Sequence, residues 1–324
     1  MGNAPAYQSC KEMMNQLGSE EIPFLFLIDF EMQKPLLWRM DEPQDEFLFD
    51  FGDFAQNTLR GQIQKIQVLL HKEPVTAEEY ERRFAIATGH IRNGDSYLVN
   101  ITAPSRVRMN ADIGSLFQLA DSRYVCMLRD EFVCFSPETF LRIRDSKIHA
   151  YPMKGTIDAG LPDAEKTILA DPKEAAEHAT IVDLIRNDLS IVARNVKVDR
   201  YRYFEVIRTH DKMLGQVSSE ITGELEEGFH KRIGDIIFGQ LPAGSVSGAP
   251  KKKTVEIIRE AEGEDRGYYT GIAGCFRNRE LESCVLIRYV SKNGIYRSGG
   301  GITSMSRLAS EYQEMIDKVY VPLH

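Results

Sequence analysis

Tyr151 to Thr156 reads YPMKGT, which sets a lysine between a methionine and a glycine near the middle of an acidic chain. An amine held among apolar and cationic neighbours can lose its proton and act as a nucleophile, and Gly155 removes bulk beside Lys154. A solvated lysine at a strand end fits the same residues, so this stretch leaves both readings open. Two carboxylate pairs offer a second kind of chemistry: Glu174 with Glu177 in DPKEAAEH, and Glu311 with Glu314 in SEYQEM. Each pair is spaced i, i+3 on an expected helix and so shares a face. Such pairs suit a hard cation such as Mg²⁺, which takes a few protein oxygens and keeps several waters. Capping by Glu174 and ordinary solvation of helical glutamates explain the same spacing.

Two glycine-rich stretches are candidate approaches to the backbone. GQLPAGSVSGAPKKKTVEII (239–258) puts Gly, Ser and Pro ahead of an apolar-periodic helix, where N–H groups can receive an anion. It lacks the Walker spacing, and a tight strand-to-helix turn serves equally well. In RSGGGITS (297–304) three glycines end a strand, so a ligand or another strand can come close. Asp183, Arg186, Asn187 and Asp188 interrupt the apolar segment EHATIVDLIRNDLSIVA, which fits either a polar network beside a site or an exposed stripe.

These residues need elements to hold them. Helical patterns fall at Thr76 to Arg92, Ser115 to Asp121, Pro172 to about Ala193, Pro250 to Ala261 and Ser310 to Val319. The third has Asp171 as N-cap, Pro172 as first residue and Glu174 as the closing carboxylate of a capping box. Most of the remainder reads as strand, including SYLVNITAPSRVRM, FLRIRDSKIHAY, NVKVDRYRYFEVI, MLGQVSSEITGEL and ESCVLIRYV. Strands that follow one another directly pair antiparallel, which predicts an α+β fold.

Composition narrows the function classes. The chain has 324 residues, 43% of them hydrophobic and 27% charged, without a linker or low-complexity run, and one domain over 1–324 is expected. A formal net charge of -8 argues against nucleic acid as partner. IPFLFLIDF is too short to span a membrane, and five dispersed cysteines without a C-x-x-C pair argue against a disulfide framework or zinc. A cytoplasmic protein is expected.

In their order, SPE (136–138), PMKGT, EHATIVDLIRND, GSVSGAPK, RGYYTG, LIR (286–288), GGGI and EYQEMIDK resemble the chorismate-utilising enzymes over about residues 76–318. The resemblance implies a four-layer α/β/β/α arrangement of two packed, mainly antiparallel sheets with outer helices, and residues 1–75 would be a shortened N-terminal part completing the sheets. Lysine in PMKGT resembles the aminodeoxychorismate synthases, because anthranilate and isochorismate synthases typically have alanine there. It implies that Lys154 attacks C2 of chorismate and that ammonia then adds at C4, with Glu138 of SPE as the acid for the leaving hydroxyl.

The resemblance further implies that Thr156, Gln216, Ser247, Gly248, Tyr269, Arg288, Gly300, Gly301 and Lys318 contact the substrate. Glu177 and Glu314 match direct Mg²⁺ ligands, while Glu174 and Glu311 match ligands acting largely through water. Two departures matter. Leu98 stands where water-activating relatives have lysine, which disfavours isochorismate formation, and Gln216 stands where many relatives have a histidine. A glutamine amidotransferase subunit is the implied ammonia source. Anthranilate synthase component I is the rival enzyme, and a non-catalytic chorismate-binding protein is the rival outside catalysis.

Overall fold

A computed structural model describes residues 6–52, 54, 55, 67–208 and 213–323. The chain forms two compact units, each assembled from three separate segments. One comprises Met1–Gln44, Glu138–Ser245 and Arg266–Val285; the other comprises Asp45–Pro137, Val246–Asp265 and Leu286–His324.

The first unit is built on a nine-stranded sheet in which every described pairing is antiparallel. Strand Met213–Glu224 organises its functional end. Along one edge it pairs first with Lys147–Ala150 and then with Met153–Asp158, and along the other with the long strand Arg194–Arg208. Phe24–Ile28 is apolar at all five positions and buried at all five, as an interior strand covered on both faces requires. Helix Ala6–Ser19, which the sequence patterns did not single out, packs on Ile233–Gly239 through small residues. A Cβ on Gly18 would stand 2.1 Å from the His230 carbonyl oxygen, and one on Gly234 2.2 Å from that of Lys11.

The second unit holds another nine-stranded antiparallel sheet, with Leu98–Met109 paired to Ile295–Ile302 on one side and to Gly248–Ala249 and Leu70–Pro74 on the other. Helices Ala77–Arg92 and Lys251–Glu262 lie on Leu98–Met109, and Leu308–Asp317 lies on Ile295–Ile302. Beneath the first two helices, Arg83 donates to the Thr102 carbonyl oxygen at 3.1 Å. The Glu262 carboxylate accepts from the Thr102 amide at 2.8 Å and its hydroxyl at 3.0 Å. Both charges are buried yet bonded to a strand's polar groups, which offsets much of their desolvation.

His90 braces the same helices from the surface, with Nδ1 2.6 Å from Asp95 and Nε2 3.1 Å from Glu260. The hydrogen bond to Asp95, then that to Glu260, holds its pKa above the ordinary value. A raised folded pKa contributes stability below the unfolded value of about 6.5, and that contribution is lost as pH rises through the folded value. His90→Gln should therefore be less stable than wild type in denaturant titrations at pH 6, and the difference should shrink at pH 9.

The α+β class and antiparallel pairing follow the sequence expectation, and Asp171 caps its helix as predicted, accepting from Lys173 and Glu174. Glu174 does not close a capping box: the Asp171 amide donates to the Ile168 carbonyl, and the Glu174 carboxylate lies beside Gly155. Thr76 also caps its helix, accepting from Glu79. Two expected strands differ. FLRIRDSKIHAY is a hairpin turned at Asp145 and Ser146, both at positive φ, the pairing that a two-residue turn between twisted strands demands. ESCVLIRYV is two strands, Glu280–Val285 in one sheet and Tyr289–Ser291 in the other, broken where Arg288 takes φ 55°.

Candidate active site

Lys154 stands on a β-bulge. Against Met213–Glu224 the register runs Met153 opposite Ser218 and then Thr156 opposite Gln216, so one extra residue is accommodated between them. A bulge of this kind re-aims a side chain, and Gly155 at φ 83° supplies the conformation it needs. The helix Pro172–Leu189 runs past this point, with Glu174 and Glu177 one turn apart. Lys154 Nζ lies 2.9 Å from Glu177 Oε2, and Lys173 Nζ lies 3.7 Å from Oε1. Glu177 is 4% exposed. Glu174 covers the bulge itself: a Cβ on Gly155 would stand 2.7 Å from its Oε2.

Gly155→Ala is consequently expected to cost about 1–2 kcal/mol through positive φ alone. It should also push the Glu174 carboxylate aside. Urea unfolding of the variant measures the first effect, and a crystal structure of it the second.

Other residues shape the same neighbourhood. Gln216 is buried, and its Nε2 donates to Met153 Sδ at 2.6 Å and to Ser218 Oγ at 3.2 Å, while Thr156 opposite it is exposed. Ser245 Oγ donates a short hydrogen bond to Glu138 Oε1. Glu138 lines a cavity of about 30 Å³, room for a water-sized molecule, together with Ala150, Tyr151, Pro152, Asp188 and Gln240. The proposed acid thus shares a cavity with the segment that leads directly into Lys154. Tyr269, on the loop from Arg266 to Gly271, is 4% exposed in the same unit.

His178, which sequence reasoning missed, is 1% exposed with Nε2 2.7 Å from Ser219 Oγ. Ser219 in turn donates its amide to the Pro152 carbonyl at 3.0 Å. Burial, then the charge of Arg202, pushes the imidazole pKa down to about 4, so it is neutral near pH 7. It ties the helix to the strand Met213–Glu224, which in turn holds Pro152, two residues ahead of Lys154. Its only signal in sequence was adjacency to Glu177.

In the second unit, Gly300 is where the backbone is approached. A Cβ there would lie 3.5 Å from Glu311 Oε2, 3.5 Å from Glu314 Oε1 and 3.7 Å from Lys318 Nζ. Gly299 answers a different need, since its Cβ would meet the Ile101 carbonyl oxygen at 2.0 Å. Lys318 Nζ bonds Glu314 at 2.6 Å and the Gly299 carbonyl at 2.8 Å, while Ser306 donates to the buried Glu311 at 2.7 Å. The Arg288 guanidinium lies 4.9 Å from the centre of the Tyr320 ring. Gly301 pairs with Asn100 in the adjacent strand. Ser247 ends a four-residue helix and is fully buried. Gly248, at φ 132°, would drive a Cβ to 1.9 Å from the Leu98 carbonyl, so strand contact alone explains this glycine.

The acidic residues stand in pairs, one on each unit, and among the described residues no group of three or more His, Cys, Asp or Glu gathers to hold a metal. The donor chemistry nevertheless fits Mg²⁺. Glu177 Oε1 is a buried carboxylate oxygen that makes no hydrogen bond, while Oε2 carries the contact to Lys154. Oε1, with the Lys173 ammonium 3.7 Å away, could face a cation once that lysine turns aside, while Oε2 keeps Lys154.

The sequence profile of the chorismate binding enzymes matches residues 30–324. An uncharacterised PabA-like protein of Pasteurella multocida is 47% identical over 317 residues, covering 96% of this chain and 98% of its own. Aminodeoxychorismate synthase component 1 of Bacillus subtilis is 30% identical over 263 residues, 76% of this chain and 55% of that one. Anthranilate synthase component 1 1 of Haloarcula marismortui is 34% identical over 260 residues, 75% of this chain and 52% of that one. The fold matches MenF, the menaquinone-specific isochorismate synthase of Escherichia coli, with TM-score 0.71 at 16% identity, covering 97% of this chain and 81% of that one. With its profile matched over nine-tenths of its length, the chain belongs to the chorismate binding enzyme family.

Proposed function

We propose that this chain is the component of aminodeoxychorismate synthase that converts chorismate and ammonia to 4-amino-4-deoxychorismate. The observation that carries the reading is Lys154, presented on a glycine bulge and paired with a buried carboxylate in an enzyme family that acts on chorismate. An ammonium proton of Lys154 passes to Glu177, to return when the amine is released, and the neutral amine forms a bond to C2. Ring electrons shift, the C4–O bond breaks, and the hydroxyl departs as water with a proton from Glu138. Ammonia then forms a bond to C4 as the C2–N bond to Lys154 breaks. The incoming nitrogen gives up a proton that restores Glu138 to its acid form.

Arg288, Tyr269, Lys318 and the backbone at Gly300 and Gly301 are the proposed carboxylate contacts, and a guanidinium suits a carboxylate through its paired donors. Thr156, Gln216, Ser247 and Gly248 are proposed to complete the substrate contacts. Glu174, Glu177, Glu311 and Glu314 would hold Mg²⁺, whose contribution is to neutralise and orient the ring carboxylate. The component 1 naming of the Bacillus relative supports a glutamine amidotransferase partner as ammonia source, and the cytoplasm is the proposed setting.

Anthranilate synthesis is a second reading, favoured by the 34% identity to the Haloarcula enzyme. Product mass after incubation with chorismate, Mg²⁺ and ammonium separates the two. Amination that retains the enolpyruvyl ether supports the proposal; release of pyruvate with anthranilate overturns it.

A further inference from the structure

The turn that carries Tyr269 is held by a residue far away in sequence. Glu31 Oε1 accepts the amide of Arg266 at 2.9 Å and Oε2 accepts that of Gly267 at 3.0 Å. Phe30 donates its own amide back to the Gly267 carbonyl at 2.8 Å, and the Arg266 guanidinium lies over the Phe30 ring at 4.6 Å. Arg266, 4% exposed, also reaches the Thr270 hydroxyl at 3.3 Å. On the far side, a Cβ on Gly271 would meet the Ile28 carbonyl at 2.2 Å.

Between these anchors the backbone is strained. Thr270 takes φ 60°, and a β-branched residue in that region is a true outlier that persists only where surrounding contacts impose it. Tyr269 is the residue immediately before it, so its side-chain direction depends on a turn that local preference alone would not choose. Both oxygens of one carboxylate on consecutive amides are a strong means of imposing that turn, because hydrogen bonds to an ionised acceptor are about twice as strong as neutral ones.

We propose that Glu31 is a positioning residue of the substrate site: it fixes the turn 266–271 and thereby the direction of Tyr269. The inference rests on the reading of Tyr269 as a contact to a substrate carboxylate. It gives the N-terminal segment a part in binding as well as in the sheet.

The test is a double-mutant cycle on chorismate KM and kcat in the full chain with Mg²⁺ and ammonium. Tyr269→Phe should raise KM about 10-fold with kcat within about 2-fold, the loss of one hydrogen bond to a charged group. Glu31→Ala should raise KM by a similar factor, and Glu31→Gln, which keeps one acceptor oxygen, by about 3-fold. The combined Glu31→Ala, Tyr269→Phe variant should bind no worse than Tyr269→Phe alone. Multiplying effects in the double variant, or an unchanged KM in Glu31→Ala and Glu31→Gln while Tyr269→Phe is impaired, overturns the positioning role and leaves Tyr269 as a contact. An unchanged KM in Tyr269→Phe overturns the reading of Tyr269 and the role of Glu31 with it. Should Glu31→Ala not fold, the Glu31→Gln arm of the same cycle decides.

Discussion

Lys154→Ala should lower kcat for amination by about 10³-fold or more while the dissociation constant for chorismate changes by less than about 10-fold, the pattern for loss of a group that acts mainly in the chemical step. The bulge at Lys154 and Gly155 is a backbone feature and survives the truncation. The carboxylate contacts proposed for Arg288, Tyr269 and Lys318 are on other elements and remain. The truncation leaves the 4%-exposed Glu177 carboxylate with a more distant counter-ion, so the variant should also be less stable, by up to about 3–5 kcal/mol in denaturant titrations. Glu177 keeps Lys173 as a counter-ion at 3.7 Å. Product mass and chorismate binding, measured on the same preparation, separate chemistry from attraction. An unchanged kcat would rule out the covalent route and leave Lys154 as the partner of Glu177 alone.

Glu177→Gln is the second large expected effect, since one buried side chain faces two demands. It should raise the Mg²⁺ concentration for half-maximal activity about 10- to 100-fold, in line with the loss of a ligand or its close support in other metal sites. It should also lower activity at saturating Mg²⁺, because Lys154 and Lys173 lose their shared carboxylate. Glu314→Gln should weaken metal dependence as well, with Glu174→Gln and Glu311→Gln milder if they act through water. Mn²⁺ binding by electron paramagnetic resonance, without chorismate, reads the ligand role apart from turnover. Full activity in excess EDTA, or four variants with wild-type Mn²⁺ affinity, would return these carboxylates to the work the structure already displays: countering Lys154, Lys173 and Lys318, and accepting from Ser306.

Local chemistry in the sequence decided a good deal. Asp171 followed by Pro172 starts its helix because a carboxylate satisfies orphan amides and proline lacks one to lose, and Thr76 acts likewise. Both signals work within a single turn, so no distant residue can alter them. The i, i+3 spacing put each glutamate pair on one face for the same reason. Alternating β-branched and aromatic runs identified strands and their antiparallel pairing, and the ordered motifs identified the family.

Tertiary structure decided whatever depends on residues brought together from far apart. No spacing rule reveals that Lys154 meets Glu177 or that Glu31 reaches Arg266, because each contact is made only when separate elements fold onto one sheet. Three neighbouring glycines looked alike in sequence, yet Gly299 makes room for a strand carbonyl and Gly300 for two carboxylates and a lysine. ESCVLIRYV has uniform strand propensity, and only the demand of two sheets for a strand each breaks it at Arg288. Propensity is a property of a few adjacent residues, whereas the aim of a nucleophile, the neighbour of a glycine and the sheet a strand joins are set by long-range packing.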